Sequence, residues 1–261
     1  MTPRFRTLYG DVPDGLDAAG VVEQVHLTER ALDIRPYVVV NMVATLDGRA
    51  AIDGRAGPIG DEADRQLFHH LRTRGDAVMA GAGTVRVERY GRLTREELRP
   101  LRARAGVRPE PLAVVVSRSL RLPGDLPLLQ EPDRDVEIIT ESDAELPPTP
   151  ARVTYLRGPL DDGLRRLRTE HGVRAIVCEG GPHLNRSLFP AGLADELFLS
   201  TSPLLAGGEP PLTILEAPSI EPPLRLELVW LLESEQCLFA RYRLPSSEAA
   251  AARPVRTAPS M

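Results

Sequence analysis

Ala175-Ile-Val-Cys-Glu-Gly-Gly-Pro-His-Leu184 is the stretch on which the fold turns. Its first four residues are apolar without alternation, the pattern of a short strand covered on both faces. The chain then crosses an acid and two glycines. Pro182 suits the first position of a helix, where its missing N–H costs nothing, and Leu184, Leu188 and Ala191 continue at helical spacing. A strand that runs through glycine into a helix is the signature of an α/β sheet. Upstream, Asp76-Ala-Val-Met-Ala80 runs into Gly81-Ala-Gly-Thr84 in the same manner. Tyr37-Val-Val-Val-Asn-Met-Val43 is another continuous β-branched run and ends in the turn Thr45-Leu-Asp-Gly48, after which Asp61 is placed to cap a helix carrying Ala63, Leu67, Phe68 and Leu71.

Further strands are expected at Leu112–Val116, Val136–Ile139 and Val153–Leu156, and a helix on Leu160, Leu164 and Leu167 with Asp161 and Asp162 in its first turn. Glu196–Leu199, Leu224–Val229 and Cys237–Leu244 follow with no helix between the last two. The expected architecture is therefore a mixed, mostly parallel sheet with a C-terminal antiparallel pair. Residues 1–35 are polar and read as an irregular N-terminal extension, residues 36–244 as one domain, and the Ser-, Ala- and Pro-rich residues 245–261 as a disordered tail.

Composition narrows the chemistry. All 32 Lys+Arg residues are arginine, so P-loop, pyridoxal and Schiff-base lysine mechanisms are excluded. A formal charge of -5 argues against a nucleic-acid-coating protein. Cys178 and Cys237 form no CxxC pair and read as buried thiols, and the five histidines show no HExxH, so no metal is expected. With no secretory leader and no apolar run near the roughly 18 residues of a membrane span, a cytoplasmic protein without a membrane partner is expected.

Both glycine junctions offer helix-start amides to a phosphate, or else are tight structural turns. The dinucleotide fingerprint GxGxxG is broken, since Arg86 stands in place of the third glycine, and this weighs against a conventional sugar or alcohol dehydrogenase. Arg86, Arg89 and Arg118, with Ser117, are candidates for a 2′-phosphate, against the alternative of a solvated arginine face. Asp47 and Glu179 each follow a strand beside glycine, where an open α/β sheet binds ligands. Either acid could accept N–H bonds from an aminopyrimidine or supply a proton, and Asp47 could equally satisfy local amides. Asn41 interrupts an apolar strand and either lines the cleft or bonds to a neighbouring strand. His183 is a phosphate contact or a surface residue, and His69 and His70 read as structural.

These segments, with Ala191-Gly-Leu-Ala-Asp-Glu-Leu197 and Pro203-Leu-Leu-Ala-Gly-Gly208, resemble in order and spacing the reductase domain of the bifunctional riboflavin-biosynthesis deaminase/reductase. That family is part of the dihydrofolate-reductase-like superfamily. The resemblance implies a three-layer fold, a homodimer, and NADPH-dependent reduction of the ribosyl group of a ribosylamino-pyrimidinone 5′-phosphate to ribityl. It implies cofactor contacts at Gly81, Gly83, Thr84 and Ser117, and along the run from Gly180 and Gly181 through Pro182, His183, Leu184 and Asn185. Glu88 stands near an acid of the family pattern and joins this set, as does Arg118. Asn41, Asp47, Arg72 and Glu179 are the implied substrate residues, with Asp47 and Glu179 as candidate proton donors. The deaminase motifs HxE and PCxxC do not occur. The family's Ala-Asp-Asp-Pro reads here Val87-Glu-Arg-Tyr90, and Pro58 stands where a tryptophan is usual. These departures open the substrate to another pyrimidine or a pterin such as dihydrofolate, and leave a non-catalytic NADP-binding regulator as the alternative from another class.

Overall fold

The computed structural model describes residues 2–209, 212–216 and 218–245. In chain order the elements are β1 (Arg6–Tyr9), α1 (Ala18–Glu23), β2 (Tyr37–Thr45), α2 (Glu62–Arg72), β3 (Ala77–Gly81), α3 (Ala82–Glu88), α4 (Arg99–Arg104), β4 (Leu112–Val116), β5 (Asp135–Thr140), β6 (Arg152–Arg157), α5 (Leu160–Thr169), β7 (Ala175–Cys178), α6 (Pro182–Leu188), β8 (Glu196–Ser202), β9 (Glu227–Ser234) and β10 (Cys237–Arg243). The strands form one sheet in the order β1-β9-β10-β8-β2-β7-β3-β4-β5-β6. From β8 to β6 every pairing is parallel, and β10 joins β8, β9 joins β10 and β1 joins β9 antiparallel.

The continuous apolar runs do what their pattern predicts: they are buried on both sides. Tyr37 and Val39 of β2 pack with α1 and α2 through Val21, Val22, Leu67 and Leu71. Val38 and Val40 face the other way, onto Leu164 and Leu167 of α5 and Leu184 and Leu188 of α6. Each such leucine, removed from water, contributes roughly 1.5–3 kcal/mol before the entropy of ordering is counted. Asp61 caps α2 as expected, its carboxylate accepting the Asp64 N–H at 2.8 Å. Pro182 occupies the first turn of α6.

Two expectations are corrected. Of the expected irregular extension 1–35, the described residues 2–35 are ordered into the fold: β1 closes one edge of the sheet against β9, and Phe5, Val21, Val22, Val25 and Leu27 are buried in the core. β9 begins three residues later than expected and continues to Ser234, because Glu235 and Gln236 turn the chain with positive φ and return it as β10 in a two-residue hairpin. The tail expected to be disordered lies outside the described residues from 246 onward. Among the described residues no helix is long and apolar enough to cross a membrane, and no His, Cys, Asp and Glu group is arranged to hold a metal. Cys178 and Cys237 are buried free thiols.

Candidate active site

The carboxyl ends of β2, β7 and β3, adjacent in the sheet, open into a cavity of about 570 Å³, within the range of small-molecule sites. One wall is α2. Asp64, Phe68 and Arg72 recur every fourth residue, and Arg65 and His69 stand beside them, so a single helix face reaches the cavity. The adjacent face of α2, about 100° around the helix, carries Ala63, Leu67 and Leu71 into the core.

Arg72 and Glu179 meet at the end of this wall. The guanidinium donates to both carboxylate oxygens, at 2.6 and 2.8 Å, and a third N–H donates to the Leu93 carbonyl at 2.9 Å. Phe68 lies under the guanidinium at 4.2 Å and Tyr90 at 5.5 Å, while the Tyr90 hydroxyl donates to Glu179. Burial opposes the charge on Arg72, but the facing Glu179 carboxylate and Tyr90 outweigh it and hold the arginine more firmly protonated than usual. Burial, with Glu179 beside it, raises the Tyr90 phenol well above its ordinary value. Arg102 is wholly buried beneath and donates to the carbonyls of Arg72, Gly75 and Arg108, which fixes the end of α2.

The two glycine junctions are one structure. Gly81 N–H donates to the Gly180 carbonyl at 2.7 Å. A Cβ on Gly180, at φ +67°, would fall 2.8 Å from Met42 Sδ, and one on Gly181 would fall 2.9 Å from Thr84 Oγ1. The backbone at Gly180 therefore favours glycine, while at Gly181 the neighbouring Thr84 hydroxyl would have to shift. At Gly83 an added Cβ would meet nothing nearer than Arg86 Nη2 at 3.9 Å, so this backbone is open to close approach. Gly81 and Gly181 are the N-caps of α3 and α6 and give no side-chain cap, which leaves the leading amides of both helices facing the cavity edge. Glu88 accepts the Ala56 N–H at 3.0 Å and so ties residues 54–57 across the opening.

Of the residues expected at the site, Asn41, Arg72, Gly81, Gly83, Thr84, Glu88, Glu179, Gly181, Pro182, His183 and Leu184 line this cavity. Gly180 and Asn185 lie behind the lining; Asn185 is buried, its amide donating to the Ile214 carbonyl at 2.8 Å. Ser117 and Arg118 fall outside it, just past β4, where Ser117 Oγ accepts the Leu120 N–H at 3.0 Å. Arg86 and Arg89 are tied to the Arg121 carbonyl and to Asp125. Asp47 is a correction to the expected pair of acids. It is exposed and outside the cavity lining, and its carboxylate accepts Thr45 Oγ1, the Gly207 N–H at 2.7 Å and the Ala206 N–H at 3.2 Å. Those bonds hold its titration down at about 2.

His183, at the rim, is paired with Glu216. His69 is a second correction. Rather than serving only the helix, it lines the cavity, its Nδ1 is buried with no partner among the described residues, and burial followed by the nearby Arg72 charge pushes it down to about 3. Asp64, Tyr90 and Arg102 were not expected. The i, i+4, i+8 spacing of Asp64, Phe68 and Arg72 is the signal that points to the first. Tyr90 and Arg102 carry no such pattern.

Residues 36–237 match the family model described as the RibD C-terminal domain. The chain is 32% identical over 209 residues to the 2,5-diamino-6-ribosylamino-4(3H)-pyrimidinone 5′-phosphate reductase of Methanothermobacter thermautotrophicus, covering 75% of this chain and 92% of that one. To the reductase of the same name from Archaeoglobus fulgidus it is 30% identical, covering 80% and 99%. A pyrimidine reductase-like protein from Corynebacterium diphtheriae shares the fold, with a TM-score of 0.73 at 23% identity over 89% of this chain and all of that one. The match runs from β2 through β9 to the first residue of β10, and both glycine junctions and the Arg72–Glu179 pair lie within it. By sequence and by architecture, the chain belongs to the RibD C-terminal domain family.

Proposed function

We propose that this protein is an NADPH-dependent reductase that converts the ribosyl group of a ribosylamino-pyrimidinone 5′-phosphate into ribityl. The observation that carries the reading is the joining of the two glycine turns into one platform beside a buried, hydrogen-bonded Arg72–Glu179 pair in a single cavity. The names of reductases similar to it support the substrate class.

The residues fit the cofactor. Gly83 and Thr84 on one side and Gly181, His183 and Leu184 on the other present backbone N–H groups at the cavity edge, with Gly81 and Pro182 shaping the two turns, the chemistry that a pyrophosphate requires. Gly180 and Asn185 support that platform from behind. β4 lies beside β3, with Val116 opposite Gly81, so a dinucleotide running along the sheet edge would reach Ser117 and Arg118. There Arg118 would pair with the 2′-phosphate and favour NADPH over NADH. When bound, the reduced nicotinamide supplies a hydride.

The chain's own groups hold the substrate. Glu179 is an acceptor: Arg72 and Tyr90 orient it and use three of its about four acceptor sites, which leaves one on Oε1 for an N–H or O–H of the substrate. Asn41 offers an amide from the middle of β2. With no lysine in the chain, a substrate phosphate would meet an arginine, a histidine or a backbone amide, and Arg65, Arg89 and Arg92 are in the lining. Gly54, Ala56, Gly57, Phe68 and Leu212 form apolar walls that would hold the substrate in place. We further propose that the protein works in the cytoplasm as a homodimer.

The test is loss of NADPH absorbance with the ribosylamino-pyrimidine and, in parallel, with dihydrofolate. The first is expected to be consumed. Turnover of dihydrofolate alone would move the assignment to a pterin, and NADPH binding with no turnover of either would make the protein a binding module.

A further inference from the structure

The reduction takes up one hydride and one proton, and neither Asp47 nor Glu179 is built to give that proton. Asp47 lies outside the cavity, saturated with donors. Glu179 is held bidentate by a buried arginine and accepts from Tyr90. The other titratable groups in the lining are also committed. Glu88 accepts the Ala56 N–H, His183 is paired with Glu216, and Tyr90 spends its proton on Glu179. His69 is a neutral imidazole at neutral pH.

Asp64 is the exception. It stands two turns of α2, roughly 12 Å, from Arg72 on the same cavity-facing side. The backbone at Gly60 passes directly over it, so closely that a Cβ there would fall 2.2 Å from Asp64 Oδ2. Ser200 of β8, buried and outside the cavity lining, hydrogen-bonds it. The charged and titratable groups around it are Asp61 and Arg65 on its own helix and cap, and Cys237 on β10. It makes no ion pair within 4.0 Å among the described residues.

We propose that Asp64 is the acid that delivers the proton in the reduction. The inference rests on the reading of the cavity as a reductase site. In the ring-opened substrate the ribose C1′ is doubly bonded to the exocyclic nitrogen. A hydride adds to C1′, the π pair of the C=N bond moves onto nitrogen, and nitrogen takes the proton from the Asp64 carboxyl, giving a secondary amine and an Asp64 carboxylate that solvent reprotonates. Burial, which pushes Asp64 up to about 6 against the opposing Ser200 bond, keeps about a tenth of it protonated at pH 7.

Asp64→Asn tests the assignment. The expected result is a fall in kcat of about 10²-fold or more with KM changed little, and loss of the limb along which wild-type kcat declines as pH rises past the titration of the acid. A readout independent of turnover is the 13C NMR titration of aspartate carboxyls in the wild-type protein. The resonance missing from the variant is expected to titrate near pH 6. A variant that keeps the wild-type kcat and pH limb overturns the inference alone. A raised KM with the limb intact also overturns it, because it would make Asp64 an orienting residue. If wild-type protein consumes no NADPH with any pyrimidine or pterin, the reading of the site fails and the inference with it.

Discussion

Replacing Arg72 with methionine keeps most of the side-chain volume and removes the charge, and its effect on stability follows from the environment of Glu179. That carboxylate is buried and receives two of its hydrogen bonds from Arg72. Without the arginine it retains Tyr90, and the Leu93 carbonyl loses its donor. A buried ion deprived of its partner costs about 3–5 kcal/mol. Glu179→Leu should cost a similar amount, because it strands the guanidinium. The double variant leaves only neutral groups short of partners, Tyr90 and Leu93, at about 1–3 kcal/mol. Urea denaturation of the four proteins therefore gives a double variant more stable than either single one, with a coupling energy of at least about 3 kcal/mol. Single losses below about 1 kcal/mol, the value of an exposed pair, would refute the reasoning. So would a double variant whose loss is the sum of the two.

Gly180→Ala meets both a positive φ and Met42 Sδ at 2.8 Å, so it should destabilise the fold by about 1–3 kcal/mol and weaken NADP binding in calorimetry. Unchanged affinity would separate the platform from the cofactor. Asp64 titrates at 3.8 when unfolded and about 6 when folded, so it imposes no penalty below pH 4 and a growing one as pH rises to 6, about 3 kcal/mol in full. Denaturation midpoints of Asp64→Asn should therefore gain on wild type between pH 4 and pH 7, and parallel curves would contradict the buried carboxyl. Asp47→Asn should leave kcat and its pH profile unmoved while limited proteolysis at residues 204–208 accelerates, since Asp47 anchors that loop rather than the reaction.

How much of this could be read from residues alone depends on whether the signal is local. The strands β2, β3, β4 and β7 are buried on both faces, and burial on both faces writes itself as an unbroken apolar run. β1 has no such mark, because its side chains are mostly exposed and it is held by backbone pairing to β9, more than 200 residues away. The glycine turns were legible as turns, but not their union, which is a backbone bond from Gly81 to Gly180. Asp47 and Glu179 look alike in sequence, each beside glycine after a strand. What separates them is the company they keep: the 206–207 amides in one case and Arg72 in the other. His69 reads as a helix residue until the face of α2 that the core leaves uncovered is known. Tyr90 stands where the family pattern has proline, and nothing in a single side chain announces that its hydroxyl reaches Glu179.

The proposed reaction is hydride transfer to the ribosyl carbon of a pyrimidine substrate bound in this cavity. Incubation with NADPH deuterated at C4 and the ribosylamino-pyrimidine 5′-phosphate, followed by mass spectrometry and NMR of the product, tests it directly. The account predicts a ribitylamino product with one deuterium at C1′. A product labelled on the pyrimidine ring, or oxidation of the cofactor with no label in any pyrimidine, would contradict it.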